Sequence, residues 1–417
     1  MSAGVKSHSI DIEAAFDVLR NVVLKTPLQL HKKLSEKYDA EIYLKREDLQ
    51  VVRSYKLRGA YNLIQSLTEE ERRRGVVCAS AGNHAQGFAF ACRYLGIRGT
   101  VYMPAVTPKQ KINQVKMFGE GTIDIVLVGD TFDECQAHAI AFATERDMIF
   151  MPPFDHPRII EGQGTVAIEI AEALTDIDYV FVPVGGGGLA AGVGIYFKTH
   201  SPNTRIIGVE PLGAPSMTEA LKAGHPVVLE TINRFVDGAA VKRVGDLTFS
   251  ICKEILDDVL LAPEGKVSTT ILQLYNEDAI VAEPAGALTI AALDQYGKRI
   301  AGKKVVCIIS GGNNDIDRMQ EIKERSLLFE GLKHYFLVRF VQRPGALKEF
   351  VNDILGPNDD IVRFEFMQKH NKETGPALIG IEVKSREDFD KLIARMNERK
   401  LNYTLINQDE NLFEYLV

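Results

Sequence analysis

Four short segments carry groups that could do chemistry, and each stands at the start of a helix or where a strand ends. The first is Ser54-Tyr55-Lys56-Leu57-Arg58-Gly59-Ala60. A lysine at the mouth of a helix meets the positive end of the helix dipole, and Arg58 close by gives its ammonium a second reason to lose a proton. A neutral lysine amine can attack a carbonyl and form an imine. Taken singly, Lys56 also reads as an ordinary solvated lysine. The second segment is Ser80-Ala81-Gly82-Asn83-His84. Its small residues let a ligand approach the backbone, and free N–H groups at a helix start bind carboxylates. A glycine turn capped by Asn83 explains the same letters.

The third segment is Gly185-Gly186-Gly187-Gly188-Leu189, between an apolar strand and a helix. Successive glycine N–H groups and the helix dipole suit a phosphate. No acidic residue follows at dinucleotide spacing, and no Lys-Ser/Thr pair closes a P-loop. A flexible linker is the alternative, though strand and helix flank the glycines tightly. The fourth is Ser310-Gly311-Gly312-Asn313, where a serine hydroxyl could bond a ring nitrogen and a plain strand-ending turn fits as well.

No metal site is expected. Cys78, Cys92, Cys135, Cys252 and Cys307 never form a CxxC pair, so zinc spacing and a disulfide framework are both absent and a reducing cytoplasm suits the thiols. Glu210 follows a strand, but PLGAPSM after it offers no second acid, so cation dependence stays open.

The elements that must hold these loops alternate. EIYLK (41–45), GVVCAS (75–80), GTVYMP (99–104), DIVLV (124–128), DYVFVPV (178–184), RIIGVE (205–210) and KVVCIIS (304–310) read as strands. Several are continuous apolar runs, as in parallel strands buried on both faces. Helical spacing appears from Arg58 to Leu67 and from Ala85 to Leu95. The alternation implies an α/β fold whose loops at the carboxyl ends of strands carry the chemistry. Near 323–333 the rhythm changes to a βαββαβ order: HYFLVRFVQ, a helix opened by Pro344, IVRFEFMQK and PALIGIEVK around the turn HNKETG, a helix capped by a Ser385/Asp388 capping box, and TLINQ.

A length of 417 residues suggests two to three domains, and 46% hydrophobic with 25% charged residues is a globular composition. The net charge of −7 excludes a nucleic-acid binder that relies on a basic surface. The opening MSAGVKSHSIDIEAAFDVL has no basic segment followed by an apolar core, so no secretory signal is expected. Tyr179–Phe197 is free of charge over about a membrane span, yet its PVGGGGLAAG interior would interrupt a spanning helix. No membrane segment is expected.

In order along the chain, KREDLQVVRSYKLRGAYN, CASAGNHAQGFAFACRYLG, MPAVTPKQKINQVKMFG, EGQGTVAIEI, VGGGGLAAG, AEPAGAL and SGGNND resemble the second fold type of pyridoxal-phosphate enzymes, specifically biosynthetic threonine dehydratase (threonine ammonia-lyase). The resemblance implies a two-subdomain fold like the tryptophan synthase β chain over residues 1–327, with the smaller subdomain at about 49–150. A ferredoxin-like α+β, ACT-like regulatory domain would follow over 328–417, present once. By the same resemblance Lys56 joins pyridoxal 5'-phosphate as a Schiff base and removes the Cα proton, and Asn83 bonds the ring hydroxyl. Ser80, Ala81, Gly82, Asn83 and His84 bind the substrate carboxylate. Gly185, Gly186, Gly187, Gly188 and Leu189 cradle the phosphate, and Ser310 partners the ring nitrogen. Glu283 sits in a family motif with its role open.

The implied reaction turns L-threonine into 2-oxobutanoate and ammonia, with L-serine as a second substrate. Isoleucine would inhibit, valine would oppose it, and the relatives imply a homotetramer. Related serine racemases carry a serine where this chain has Ala81, so racemisation is disfavoured. A serine-preferring or degradative dehydratase is the nearer rival, and a catalytically idle amino-acid sensor the more distant one.

Overall fold

The computed structural model describes residues 10–370, 372–407 and 413. Residues 1–9 of the opening segment, Asn371 of the HNKETG turn and Gln408 of the TLINQ strand lie outside the described residues. Two compact units divide at Met1–Ile316 and Asp317–Val417. The division falls before the 327/328 boundary because the helix Met319–Glu330 packs on the strand Lys333–Val341.

The first unit holds two sheets. The larger runs, in spatial order, Leu28–Leu30, Glu41–Arg46, Lys304–Ile309, Tyr179–Pro183, Arg205–Pro211 and Asp258–Ala262. Its first pair is antiparallel and the rest are parallel. The smaller sheet is wholly parallel, in the order Ile123–Leu127, Gly99–Met103, Val76–Ala79, Ile149–Phe150. Val76–Ala79, Gly99–Met103 and Tyr179–Pro183 are buried along their whole length, which is why they read as unbroken apolar runs. Leu28–Leu30 and Ile149–Phe150 are too short to show a period, and Asp258–Ala262 is a half-buried edge. The charge-free stretch from Tyr179 is strand, glycine turn and the helix Gly188–His200. Among the described residues no helix is long and apolar enough to cross a membrane.

The helix carrying Lys56 runs Lys56–Gln65, one turn or less from the span read off the sequence, and buries Leu57, Ala60, Leu63 and Ile64. It packs on the helix Pro157–Ala173, which in turn packs on Gly188–His200. Both crossings are backbone against backbone. A Cβ at Gly162 would lie 2.5 Å from the Arg58 carbonyl oxygen, and one at Gly192 2.4 Å from that of Ile160. The EGQGTVAIEI run therefore couples the lysine helix to the helix behind the four glycines.

A buried ionic cluster pins the same helix. Arg58 donates through Nε and Nη2 to the two oxygens of Glu47, at 2.9 and 2.8 Å, and its Nη1 lies 2.7 Å from Glu169. Lys45 reaches Glu169 at 2.5 Å and donates to the Thr26 carbonyl at 2.7 Å, while the Thr26 hydroxyl donates to Glu47. Arg58, Lys45, Glu47 and Glu169 are 2% exposed or less. Two cations face two carboxylates, and the hydroxyls and carbonyls around them satisfy the remaining bonds.

The second unit is an antiparallel sheet ordered Asp360–Phe366, Thr374–Glu382, Lys333–Val341, Tyr403–Leu405, with helices Ala346–Asp353 and Arg386–Glu398 completing the βαββαβ order. The first of these helices opens at Ala346 behind Gly345 at φ +88, two residues beyond Pro344. Ser385 caps the second, accepting from the Asp388 N–H at 3.2 Å. The Asp388 carboxylate accepts from the serine hydroxyl at 3.1 Å; aspartate is one methylene shorter than the glutamate of a full capping box.

Removing the guanidinium while keeping the bulk, as in Arg58→Met, leaves Glu47 and Glu169 buried with Lys45 as their one cation. The expected loss of unfolding free energy is about 3–5 kcal/mol, read by urea denaturation of the apoprotein. A loss too small to measure would show that the cluster does not brace the helix.

Candidate active site

The loops beyond three strand ends meet. Val76–Ala79 runs into Ser80, Tyr179–Pro183 into Gly185, and Lys304–Ile309 into Ser310. A cavity of about 540 Å³ opens between the first two and is lined by Lys56, all of Ser80, Ala81, Gly82, Asn83 and His84, and all of Gly185 to Leu189. Ser310 does not line it. It is 2% exposed, and its carbonyl accepts the Tyr55 N–H at 3.1 Å, which places it directly behind the residue before Lys56.

Lys56 is the first residue of its helix. Its amine has no hydrogen-bond or ion-pair partner among the described residues; the Tyr55 ring centroid lies 5.5 Å away. Loss of solvent pulls its pKa down to about 8, and the charge of Glu283 works against that fall. Arg58 is not the cause expected from the sequence. Its guanidinium is turned the other way, into Glu47 and Glu169, and sequence proximity misled because a helix sends residues two apart to different faces.

The glycine turn leaves donors free. Gly187 takes φ +94 as the residue before the helix Gly188–His200, a conformation open to glycine. A Cβ at Gly186 would sit 2.2 Å from the Phe154 ring. Gly186, Gly187 and Gly188 are buried, and no protein acceptor takes their N–H groups among the described residues. Buried unpaired N–H groups are rare in folded proteins. Three in succession at the positive end of a 13-residue helix fit an anion.

The Asn83 side chain joins two distant segments. Its Nδ2 donates to Glu283 Oε1 at 2.6 Å, and its Oδ1 accepts from Asn313 Nδ2 at 2.8 Å. Asn313 also donates to the Val52 carbonyl at 2.9 Å. Burial and the nearby charge of Asp237 push Glu283 up to about 7, against the Asn83 bond and the charges of Lys111 and Lys56. His84 is buried, its Nε2 3.2 Å from the Met151 carbonyl oxygen. Burial first and Lys56 second push it down to about 3, so it stays neutral.

Sequence reasoning left Glu283 and Asn313, the last residue of the fourth segment, without roles, although AEPAGAL and SGGNND both flagged the loops that carry them. It also left Glu210 as a possible cation neighbour. Its buried carboxylate accepts instead from the N–H groups of Met217 and Thr218, at 2.6 and 2.8 Å, at the start of the helix Ser216–Ala223. No cluster of metal-ligating side chains occurs among the described residues.

Residues 19–311 match the family of pyridoxal-phosphate dependent enzymes, and residues 324–416 match the C-terminal regulatory domain of threonine dehydratase. The biosynthetic L-threonine dehydratase IlvA of Bacillus subtilis is 57% identical over 96% of this chain and 95% of its own length. That of Halalkalibacterium halodurans is 56% identical over 98% of each. Among solved structures, the processed form of threonine deaminase isoform 2 from Solanum lycopersicum gives a TM-score of 0.73 at 43% identity, covering 76% of this chain and 92% of that one. Serine racemase from Dictyostelium discoideum gives 0.67 at 34% identity, covering 73% and 98%.

The pH dependence of aldehyde capture tests the amine. With pyridoxal as probe, binding to the apoprotein should rise with pH through a midpoint of about 8, as Lys56 sheds its proton. Glu283→Gln removes the charge that favours the ammonium, so the midpoint should move to lower pH. A midpoint near the ordinary lysine value of about 10.4, unmoved by the substitution, would contradict the desolvation of the Lys56 amine.

Proposed function

The chain belongs to the pyridoxal-phosphate dependent enzymes and carries a threonine dehydratase regulatory domain, and from that premise we infer that it converts L-threonine into 2-oxobutanoate and ammonia. The observation that carries the reading is a cavity holding both a lysine amine and three glycine N–H groups that have no partner among the described residues. These are the two ends that pyridoxal phosphate needs, an amine for its aldehyde and donors for its phosphate. Lys56 and the Gly185–Leu189 turn would hold it, with Asn83 at its ring; a role for the Ser310 hydroxyl at the ring nitrogen rests on the family resemblance alone, since Ser310 lies behind the cavity wall. When bound, the cofactor supplies a conjugated ring that accepts the electron pair released at Cα.

The chain's own groups do the rest. The N–H groups at the start of the helix Asn83–Leu95 hold the substrate carboxylate and fix which bond at Cα faces the amine. With a pKa near 8, Lys56 Nζ is partly neutral at physiological pH and takes the Cα proton. The Cβ–O bond then breaks, and the oxygen leaves as water with the proton that Lys56 Nζ took from Cα. The enamine left behind takes up water outside the site and yields the oxo acid and ammonia.

Elimination is favoured over racemisation because the position that carries a proton in related racemases holds a residue that cannot. Ala81 occupies the position where related racemases place a serine, and neutral His84 faces the Met151 carbonyl. L-serine carries the same leaving group and enters as a second substrate. The regulatory unit binds isoleucine, with valine opposing, and the enzyme works as a cytoplasmic homotetramer. Five buried thiols suit that reducing compartment.

Two variants of one assay test the proposal. Lys56→Ala should abolish 2-oxobutanoate release from L-threonine while the protein still folds, and full turnover in that variant would sink the assignment. Saturating isoleucine should depress wild-type turnover of L-threonine, and an unchanged rate would remove the regulatory claim alone.

A further inference from the structure

The glycine turn cannot aim its own N–H groups. It has no side chains to anchor it, and a glycine peptide can turn over at little steric cost. The helix Asp246–Ile255 lies against it and supplies the anchor. The Thr248 hydroxyl, fully buried, donates to the Gly186 carbonyl at 2.6 Å, with the Gly245 carbonyl at 3.3 Å. The Gly186 carbonyl also accepts the Gly245 N–H at 3.4 Å. A trans peptide carries its C=O and N–H on opposite sides. Drawing the Gly186 oxygen toward Thr248 therefore turns the N–H of Gly187 away from the helix, toward the cavity that Gly187 lines.

The next peptide repeats the arrangement. Cys252, one turn further along, sets its Sγ 3.7 Å from the Gly187 carbonyl, which leaves the Gly188 N–H on the opposite side. The anchor is itself fixed. The Asp155 carboxylate accepts the N–H groups of Asp246 and Thr248, both at 3.0 Å, and so locks the first turn of the helix.

We propose that Thr248 is a positioning residue that aims the Gly187 N–H at the phosphate of the cofactor, with Asp155 and Cys252 fixing the same assembly. It acts only through the glycine turn and does not line the cavity. The inference rests on the reading that the phosphate lies on Gly185–Leu189, and a comparison of two ligands separates the two claims.

The dissociation constants of pyridoxal phosphate and of pyridoxal, which lacks the phosphate, are measured by absorbance titration of the apoprotein. Wild-type protein should strongly prefer the phosphorylated ligand. In Thr248→Val, which keeps the shape and loses the hydroxyl, that preference should shrink by at least about tenfold, the worth of an oriented hydrogen bond to a charged group. Pyridoxal affinity should stay nearly unchanged, and Thr248→Ser should restore the preference. A general loss of stability weakens both ligands alike and leaves the ratio standing. If the valine variant does not fold, Thr248→Ala carries the same comparison. A wild-type preference that survives the loss of the hydroxyl overturns the inference and leaves the functional reading intact. No preference in the wild type overturns the phosphate cradle, and the inference with it.

Discussion

A charged lysine held half-buried without a partner is costly, and a neutral one is useful only if its surroundings hold still. The first unit meets that condition with the cluster of Arg58, Lys45, Glu47 and Glu169. Its Arg58 sits on the same helix as Lys56, two residues on, Lys45 and Glu47 come from the strand Glu41–Arg46 and the residue after it, and Glu169 from the helix Pro157–Ala173. Such a cluster adds little net stability over an apolar core, but every member must be present and in place. It therefore fixes the helix geometry. The backbone contacts at Gly162 and Gly192 pass that geometry on to the glycine turn. The amine and the phosphate donors are thereby held to one frame.

Within that frame the titrating groups differ by environment alone. Lys56 falls to about 8 and Glu283 rises to about 7, both chiefly through loss of solvent, and each favours the charged form of the other. Asn83 stands against Glu283, so the asparagine that would meet the cofactor ring answers to a carboxylate that is about half ionised near neutrality. His84 is removed from proton traffic by burial.

The site was legible in the sequence where chemistry is local. A lysine at a helix mouth, glycines between strand and helix, and strand-ending turns are all decided within a few residues. So was the alternation of parallel strands, because burial on both faces leaves unbroken apolar runs. Contacts that join distant segments were not legible. The bond from Asn83 to Glu283 spans 200 residues, and no spacing rule reaches that far. Arg58 shows the converse error: a neighbour in sequence proved to be turned away in space, and burial supplied the shift assigned to its charge. The Thr248 anchor was invisible for the same reason, since a threonine inside a helix advertises nothing until its carbonyl partner is seen. Three strands at sheet edges were missed because they are too short or too exposed to show a period.

The central claim is that Lys56 is the amine that holds the cofactor, and covalent trapping tests it most directly. Holoenzyme reduced with borohydride and digested should yield one peptide carrying a phosphopyridoxyl group, on Lys56. The label on a different lysine, or none in a protein that turns over L-threonine, would contradict the account.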